Sequence, residues 1–384
     1  MRLLKRTVSA VALIVAAPGL LWAQDDGNPV KIPSENTGYG TTSAEFLQFG
    51  ASARGMALGG AFSTIVDDVS ALHYNPANLV FMPGAQAALT VMPYFADTDY
   101  YWAGLAIPFS DNDFGFGVFL GRFGFGDQPI YTESDPEGLS GETYGVNEVV
   151  AGLSFAHAFI DRFSAGGTVK IISDDLAGGA LAGAKATTAA FDFGVNFHSE
   201  LWNNPIALAF VVQNLGGNLS HSGEALRFRD FNGSGNDPTV PDQRVDPPYA
   251  EYDTDGFPLP RLFRVGLSYD LLHGESTRFS LLGEFVEANN QKPQFGFGGE
   301  FGWDSVDSPI GAWLRGSYTT QPDNDSDLSG AGFSASDTGL DGMAFGGGLF
   351  YRIADRYRLQ FDYAYKHYGA LGSVDAFTFT IGWE

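Results

Sequence analysis

The stretch RYRLQFDYAYK, residues 356–366, decides the fold, because every second side chain in it is aromatic or aliphatic. Successive side chains of an extended strand point to opposite sides, so this stretch has one apolar face and one largely charged face. The apolar face consists of Tyr357, Leu359, Phe361, Tyr363 and Tyr365. The same alternation recurs in QFGFGGEFGW at 294–303 and in AFTFTIGW at 376–383. It predicts a chain built from many amphipathic strands.

The composition favours lipid, rather than a soluble core, as the environment of these apolar faces. The chain has 384 residues with 33 Phe, 16 Tyr and 50 Gly, and only 17% of its residues are charged. So many large aromatic side chains would overfill the core of a soluble sandwich, whereas the outer face of a membrane barrel requires them. The sequence therefore predicts an all-β fold, a transmembrane antiparallel β-barrel located in the cell outer membrane.

Fourteen segments carry the strand pattern, an even number within the range of bacterial outer-membrane barrels. They are 84–92, 99–109, 113–125, 143–159, 163–175, 184–198, 205–214, 259–270, 276–288, 292–303, 308–320, 342–353, 356–366 and 373–383. Short turns such as 160–162 and 354–355 alternate with long connections. Since such barrels have short periplasmic turns and longer outer loops, the barrel, residues 81–384, is expected to carry its long loops outside the cell. The long connections are 126–142, 176–183, 215–258 and 321–340.

Three predicted parts precede the barrel. Residues 1–23 have basic residues before a short apolar run, which is typical of a signal peptide, and 24–40 are expected to be a flexible N-terminal segment. Residues 41–80 show small and apolar side chains at a spacing of three to four, which predicts short helices plugging the lumen from the periplasmic side. Asn75 is expected to be extended because Pro76 follows it, and Pro76 to end the last helical turn and redirect the chain into the first strand.

Two stretches resemble a known family. FLQFGASARGMALGGAFSTIVDDVSALHYNPANL, residues 46–79, resembles the N-terminal signature of the PorV/PorQ family, which is itself similar to the FadL family of outer-membrane barrels. LQFDYAYKHYGALGSVDAFTFTIGW, residues 359–383, resembles the last two strands of that family. The plug motif that carries the resemblance includes Arg54, Gly55, Met56, Gly59, Gly60, Asn75, Pro76 and Ala77.

The resemblance implies two different functions. Similarity to PorV/PorQ implies a role in type IX protein secretion, in which the barrel binds exported cargo at its C-terminal signal domain and passes it on for surface attachment. Its partners would be secreted cargo proteins and components of the secretion system. Similarity to FadL implies instead a transporter for hydrophobic compounds. The predicted lumen wall is polar over most of its height, which favours the cargo role.

The lumen is expected to hold charged side chains that pair with one another or with Arg54 of the plug. They are Lys170, Asp192, Glu284, Glu300, Arg315, Arg358 and Asp362. The acidic stretches 251–256 and 324–327 could supply calcium ligands, although a solvated acidic rim is the simpler interpretation.

No chemical site is predicted. The six His residues lack ligand spacing, Cys is absent, and the Gly-rich stretches lie within strands. We therefore expect no catalytic, cofactor-binding or metal site, and no enzyme activity. The net charge of −24 argues against a nucleic-acid partner, which leaves outer-membrane lipid and lipopolysaccharide as the expected surroundings.

Overall fold

The computed structural model describes residues 40–109, 113–181, 183–229, 249–305, 307–320, 342–354 and 356–383. Some predicted segments lie outside these ranges: the signal peptide 1–23, nearly all of 24–40, the middle of 215–258 and the whole of 321–340. Within the described part of the chain, no helix is both long enough and apolar enough to cross a membrane.

Fourteen long strands in the described residues form one closed antiparallel barrel, which confirms the predicted fold. We number them β1 (Ala85–Pro93), β2 (Thr98–Phe109), β3 (Phe114–Phe125), β4 (Thr143–Ile160), β5 (Phe163–Gly179), β6 (Lys185–Leu201), β7 (Asn204–Gly216), β8 (Leu262–His273), β9 (Thr277–Ala288), β10 (Gln294–Asp304), β11 (Ile310–Thr320), β12 (Met343–Ile353), β13 (Tyr357–His367) and β14 (Ser373–Trp383). Each strand pairs with its neighbours in this order. The ring closes where β1 pairs with β14, from Ala85 opposite Trp383 to Val91 opposite Phe377.

The alternation in RYRLQFDYAYK sorts the side chains of β13 as predicted. Leu359 and Phe361 are exposed on the outer face, whereas Asp362 and Ala364 are buried toward the lumen. The neighbouring strand places Phe379 opposite Phe361, with ring centroids 4.9 Å apart. Such cross-strand aromatic pairs stabilise the sheet and give the barrel its apolar outer surface.

The two rims of the barrel differ in the length of their connections. At the short-turn rim, strands are joined by tight turns such as Trp202 and Asn203 between β6 and β7, where both residues have positive φ, 52° and 65°. The opposite, long-loop rim carries the long connections, which contain the short strands Gln128–Pro129, Arg227–Arg229 and Tyr249–Glu251.

One predicted boundary at the long-loop rim is wrong. Residues 176–183 were expected to be a loop, but β5 continues to Gly179, which pairs with Tyr144 of β4. The backbone hydrogen bonds between β4 and β5 continue into this stretch, although its side chains are small or polar and lack the apolar alternation found in the rest of the strand. Sequence periodicity therefore ends before the strand does.

Short helices fill the barrel before β1 begins. The two α-helices are α1 (Ala53–Ala57) and α2 (Ala71–Tyr74). Short 3₁₀ helices cover Glu45–Gln48 and Pro76–Phe81 in this segment, and three more lie in later connections, at Phe95–Asp97, Glu224–Leu226 and Gly369–Leu371. Helices this short are not stable alone, and those of the plug are held by burial of Phe46, Leu58, Phe62 and Leu72 against the inner wall.

The plug runs from the long-loop rim to the short-turn rim. The Ser43 amide donates to the Pro258 carbonyl at 3.0 Å, and Asn290 Nδ2 donates to Thr42 Oγ1 at 3.0 Å, both at the long-loop rim. The chain then crosses the lumen and reaches β1 at the short-turn rim. The expected entry from the periplasmic side, where the short turns were placed, is therefore not what the fold shows, because these contacts fix the start of the plug at the opposite rim.

Candidate functional site

A crevice of about 220 Å³ lies between the plug and the barrel wall at the long-loop rim, and we call it the loop-end crevice. Four residues of the predicted plug motif line it: Gly55, Met56, Gly59 and Gly60. Gly59 and Gly60 have φ values of 64° and 80°, in the left-handed region that favours glycine. They turn the chain directly after α1 and bring its backbone to the edge of the crevice.

Tyr74 at the end of α2 forms part of the crevice floor. Its hydroxyl lies against two glycines, and a Cβ atom would come within 2.6 Å of it at Gly50 and within 2.3 Å at Gly55. Only glycine leaves room for the phenol at both positions. Packing against Tyr74 therefore explains why position 55 of the plug motif is glycine. Tyr74 itself is not among the predicted site residues.

The mouth of the crevice is aromatic. Phe49 stacks on Tyr94 with ring centroids 4.6 Å apart, and the ring centroids of Tyr368 and Tyr94 are 6.2 Å apart. Burial raises the pKa of Tyr94, and it raises the pKa of Tyr368 to about 12, so both phenols are neutral at physiological pH. These side chains lie in turns or just beyond strand ends, where the alternation gives no signal for them.

Three cationic side chains line the crevice, and none of its lining residues is acidic. Arg264 Nη1 lies 2.9 Å from Glu284 and its Nε lies 2.8 Å from Gln213 Oε1. Lys366 lies with its Nζ 4.9 Å from the centre of the Tyr368 ring. Within the described ranges, no carboxylate comes within 4.0 Å of Lys366. The third cation is Lys292.

Arg54 lies on the other side of α1, in a second cavity of about 300 Å³ at the short-turn rim, the short-turn chamber. Its Nε and Nη2 each lie 2.8 Å from an oxygen of Glu300, a bidentate pair. Its Nη1 lies 2.9 Å from Asp68 and also contacts Asp67. Burial alone would lower the pKa of Arg54, but Asp67, Glu300 and Asp68 raise it well above the ordinary value.

The ion-pair network of Arg54 connects the plug to four barrel strands. Glu300 of β10 also accepts from Arg315 of β11 at 2.7 Å and from Arg278 of β9 at 3.1 Å. Arg315 in turn contacts Asp362 of β13. The expected pairing of lumen charges with one another and with Arg54 is confirmed here. Another predicted pair is Lys170 and Asp192, 2.7 Å apart in the wall.

Asn75, Pro76 and Ala77 fix the plug to the wall away from the crevice. Asn75 is extended as expected, with φ −160° and ψ 101°, and its Oδ1 accepts from the Ala77 amide at 3.1 Å. Its Nδ2 donates to the Ser63 carbonyl of the plug at 3.0 Å and to the Val195 carbonyl of β6 in the wall at 3.3 Å. Pro76 starts the 3₁₀ helix Pro76–Phe81 instead of leading straight into β1. A proline suits the first position of a helix because it lacks only an N–H that has no helical partner there.

The structure thus divides the predicted motif among three places. Its glycines and Met56 line the loop-end crevice, Arg54 lies in the short-turn chamber, and Asn75 to Ala77 fix the plug to the wall. In the described ranges, no three His, Asp or Glu side chains are placed to hold a metal ion.

Comparison with known proteins gives structural matches only. No protein-family model and no curated protein matches the chain. The toluene transporter TbuX of Ralstonia pickettii is 11% identical, covers 87% of this chain and 97% of its own, and has a TM-score of 0.52. A TodX mutant, a monoaromatic hydrocarbon channel, is 13% identical over 87% of this chain and 98% of its own, with a TM-score of 0.51. CymD, another such channel, is 11% identical over 87% and 97%, with a TM-score of 0.50.

These sequence identities are too low to carry function. The structural matches agree with the architecture of the barrel. The chain has the fold of the FadL-like β-barrels, fourteen strands around an internal plug. Its fold class is therefore the closed antiparallel β-barrel of fourteen strands. These matches do not support the finer PorV/PorQ assignment.

Proposed function

We propose that the chain is a FadL-type outer-membrane transporter that takes up a hydrophobic compound through the loop-end crevice. The observation that carries the proposal is the crevice itself. It lies at the rim with the long loops, its mouth is aromatic, and its floor is the plug. The crevice lining is more polar than apolar, and convergent polar groups beside aromatic side chains fix the orientation of a ligand in small-molecule sites.

The fold supports this proposal without deciding it, because one fold can serve several functions. TbuX is described as a toluene transporter, and TodX and CymD as monoaromatic hydrocarbon channels. Under this proposal the protein resides in the outer membrane among lipid and lipopolysaccharide and catalyses no reaction.

The type IX secretion role rests on the sequence resemblance alone. Its main argument was a polar lumen, and the charged groups of the lumen are largely paired with one another. Paired charges describe how the plug is held and do not require a protein cargo. The transporter role is therefore the better supported of the two.

The experiment is uptake by cells that produce variants of the protein. Ala288 lines the crevice, and Ala288→Trp would fill it. Ala312 lies opposite Trp303, on the outer face. Ala312→Trp adds the same bulk there and serves as the matched control. Radiolabelled toluene, 4-propylbenzoate and dodecanoate are the probes.

We expect the unaltered protein to speed uptake of at least one probe over cells without it. Ala288→Trp should abolish this gain, and Ala312→Trp should preserve it. The transporter proposal is wrong if none of the probes enters faster than in cells lacking the protein. Capture of a C-terminal signal domain by the purified protein, together with that result, would favour the secretion role.

A further inference from the structure

The Tyr74 hydroxyl is a buried donor with an unmet hydrogen bond. The side chain is 2% exposed; Ser52 and the Ala51 backbone lie close enough to its oxygen to lower the pKa slightly, but neither reaches the geometry of a full hydrogen bond. Burial raises the pKa of Tyr74, so the phenol keeps its proton. Buried polar groups in native proteins nearly always have a partner, and an unpaired one calls for an explanation.

The hydroxyl is buried directly beside the crevice wall. The two glycines closest to it, Gly50 and Gly55, line the crevice together with Tyr74 itself. An acceptor atom of a molecule in the crevice that reaches between these glycines would complete the missing hydrogen bond. No other tyrosine on its lining is packed against two glycine backbones in this way among the described residues.

The charge of the crevice indicates which acceptor would suit it. Arg264 is compensated by Glu284, whereas Lys366 has an aromatic ring as its neighbour and no acidic partner in the described ranges. A half-buried ammonium group without a counter-ion is costly. An anionic group on the ligand would compensate it and accept from Tyr74 at the same time.

The walls restrict the rest of the ligand. The crevice volume of about 220 Å³ is smaller than the usual 300–1,000 Å³ of drug-sized sites, and its mouth presents the rings of Phe49, Tyr94 and Tyr368. Aromatic rings pack well against one another in stacked or edge-on geometry. A compact aromatic body therefore fits better than a long aliphatic chain.

From these observations we infer that the loop-end crevice selects a small aromatic acid, whose anionic head group binds between the Tyr74 hydroxyl and the Lys366 ammonium. The inference rests on the proposed function, since it names the substrate class of the same crevice. It separates this chain from a channel for neutral hydrocarbons, because a neutral ring would leave both donors unpaired. Tyr74 and Lys366 are then the residues that determine specificity.

The test compares an acid with its neutral analogue. Equilibrium binding of radiolabelled 4-propylbenzoate and 4-propylbenzyl alcohol is measured at pH 7 with the full-length protein in phosphatidylcholine nanodiscs, and empty nanodiscs give the background. We expect the unaltered protein to bind the acid at least tenfold more tightly than the alcohol, since hydrogen bonds to charged groups are the stronger ones. Dodecanoate, with the same head group on an aliphatic chain, should bind more weakly than the aromatic acid.

Two variants address the two donors separately. Tyr74→Phe and Lys366→Met should each lower the affinity for the acid about tenfold and change the affinity for the alcohol much less. The controls make the same chemical changes elsewhere: Tyr351→Phe on the outer wall and Lys185→Met on an exposed site. Folding of every variant is verified by the slower migration of heated samples on gels.

The outcomes separate the inference from the proposed function. If the unaltered protein binds the acid and the alcohol equally, or both variants keep its preference, the inference is wrong and the transporter proposal stands. If it binds none of the three probes, the inference is wrong, and the transporter proposal is then decided by the uptake experiment, in which toluene is also a probe. A preference for the acid that either crevice variant removes, and that neither control affects, supports the inference.

Discussion

At the residue scale, Arg54 shows how one side chain holds the plug. It forms a bidentate pair with Glu300 from a five-residue helix that could not be stable alone. Arg54 and Glu300 are 246 positions apart. The sequence predicts that Arg54 meets lumen charges, but the choice of Glu300 depends on strand register and is not contained in any local pattern.

We expect Arg54→Met to lower the free energy of unfolding by about 3–5 kcal/mol, because it leaves buried acidic groups without one of their cations. Urea unfolding of the protein in detergent micelles measures this. Arg227→Met is the control, since Arg227 pairs with Glu224 and Glu251 at an exposed site, and it should cost less than about 1 kcal/mol. Equal effects of the two substitutions would show that the Arg54 network does not stabilise the fold.

His73 beside the crevice should make stability depend on pH. Burial, with Arg264 and Lys170 nearby, lowers the pKa of His73 to about 3. Because the folded-state pKa lies below the ordinary value of about 6.5, the contribution of this group is full above pH 6.5 and is lost as pH falls toward 3. Between pH 7 and pH 4 the loss is as much as about 3 kcal/mol.

The measurement is urea unfolding of the unaltered protein and of His73→Gln at pH 7, 5.5 and 4. The substitution removes the titrating group, so the variant should lose less stability between pH 7 and pH 4. Comparing how the free energy of unfolding changes with pH in the two proteins cancels the contributions of the other titrating groups, which both proteins share. Identical slopes would mean that His73 is protonated equally in the folded and unfolded protein.

At the element scale, the strands were the predictable part. Each repeats an alternation of period two that is complete within about ten residues, so β13 could be located from residues 356–366 alone. The plug gave a weaker signal: a spacing of three to four predicted short helices in 41–80 but not their bounds, because each covers only one or two turns. Pro76 illustrates this: α2 ends at Tyr74, before Asn75 and Pro76, as expected, but Pro76 then starts a second short helix before β1.

Phe361→Arg tests the assignment of the outer face. Phe361 is exposed on that face and lies in the middle of β13. A charge there should cost about 2–4 kcal/mol if the site is near the bilayer midplane. Folding into phosphatidylcholine vesicles, followed by guanidinium titration, gives the free energy. Phe361→Leu keeps the site apolar and should cost less than about 1.5 kcal/mol; similar losses for both variants would argue that this face does not meet lipid.

At the scale of the whole molecule, the barrel was predictable and the crevice was not. The number of strands, their antiparallel order and the presence of a plug follow from alternation, turn lengths and the segment before the barrel, whereas the rim at which the plug starts does not. The crevice instead combines Gly55, Tyr74, Arg264 and Lys366, which come from four elements separated by up to about 300 positions. Their proximity is a consequence of barrel closure, and no local pattern contains it.

The orientation of the whole barrel gives the last prediction. Outer-membrane barrels have short turns toward the periplasm and long loops outside, so the crevice should open to the exterior, where a transported compound first arrives. A cleavage site for a specific protease is inserted after Glu137 in the exposed long-loop segment, or between Trp202 and Asn203 at the short-turn rim. Protease added to intact cells should cut only the first protein, and permeabilised cells should allow both cuts. Cutting at Trp202 in intact cells, with Glu137 protected, would place the crevice on the periplasmic side and reverse the direction of the proposed uptake.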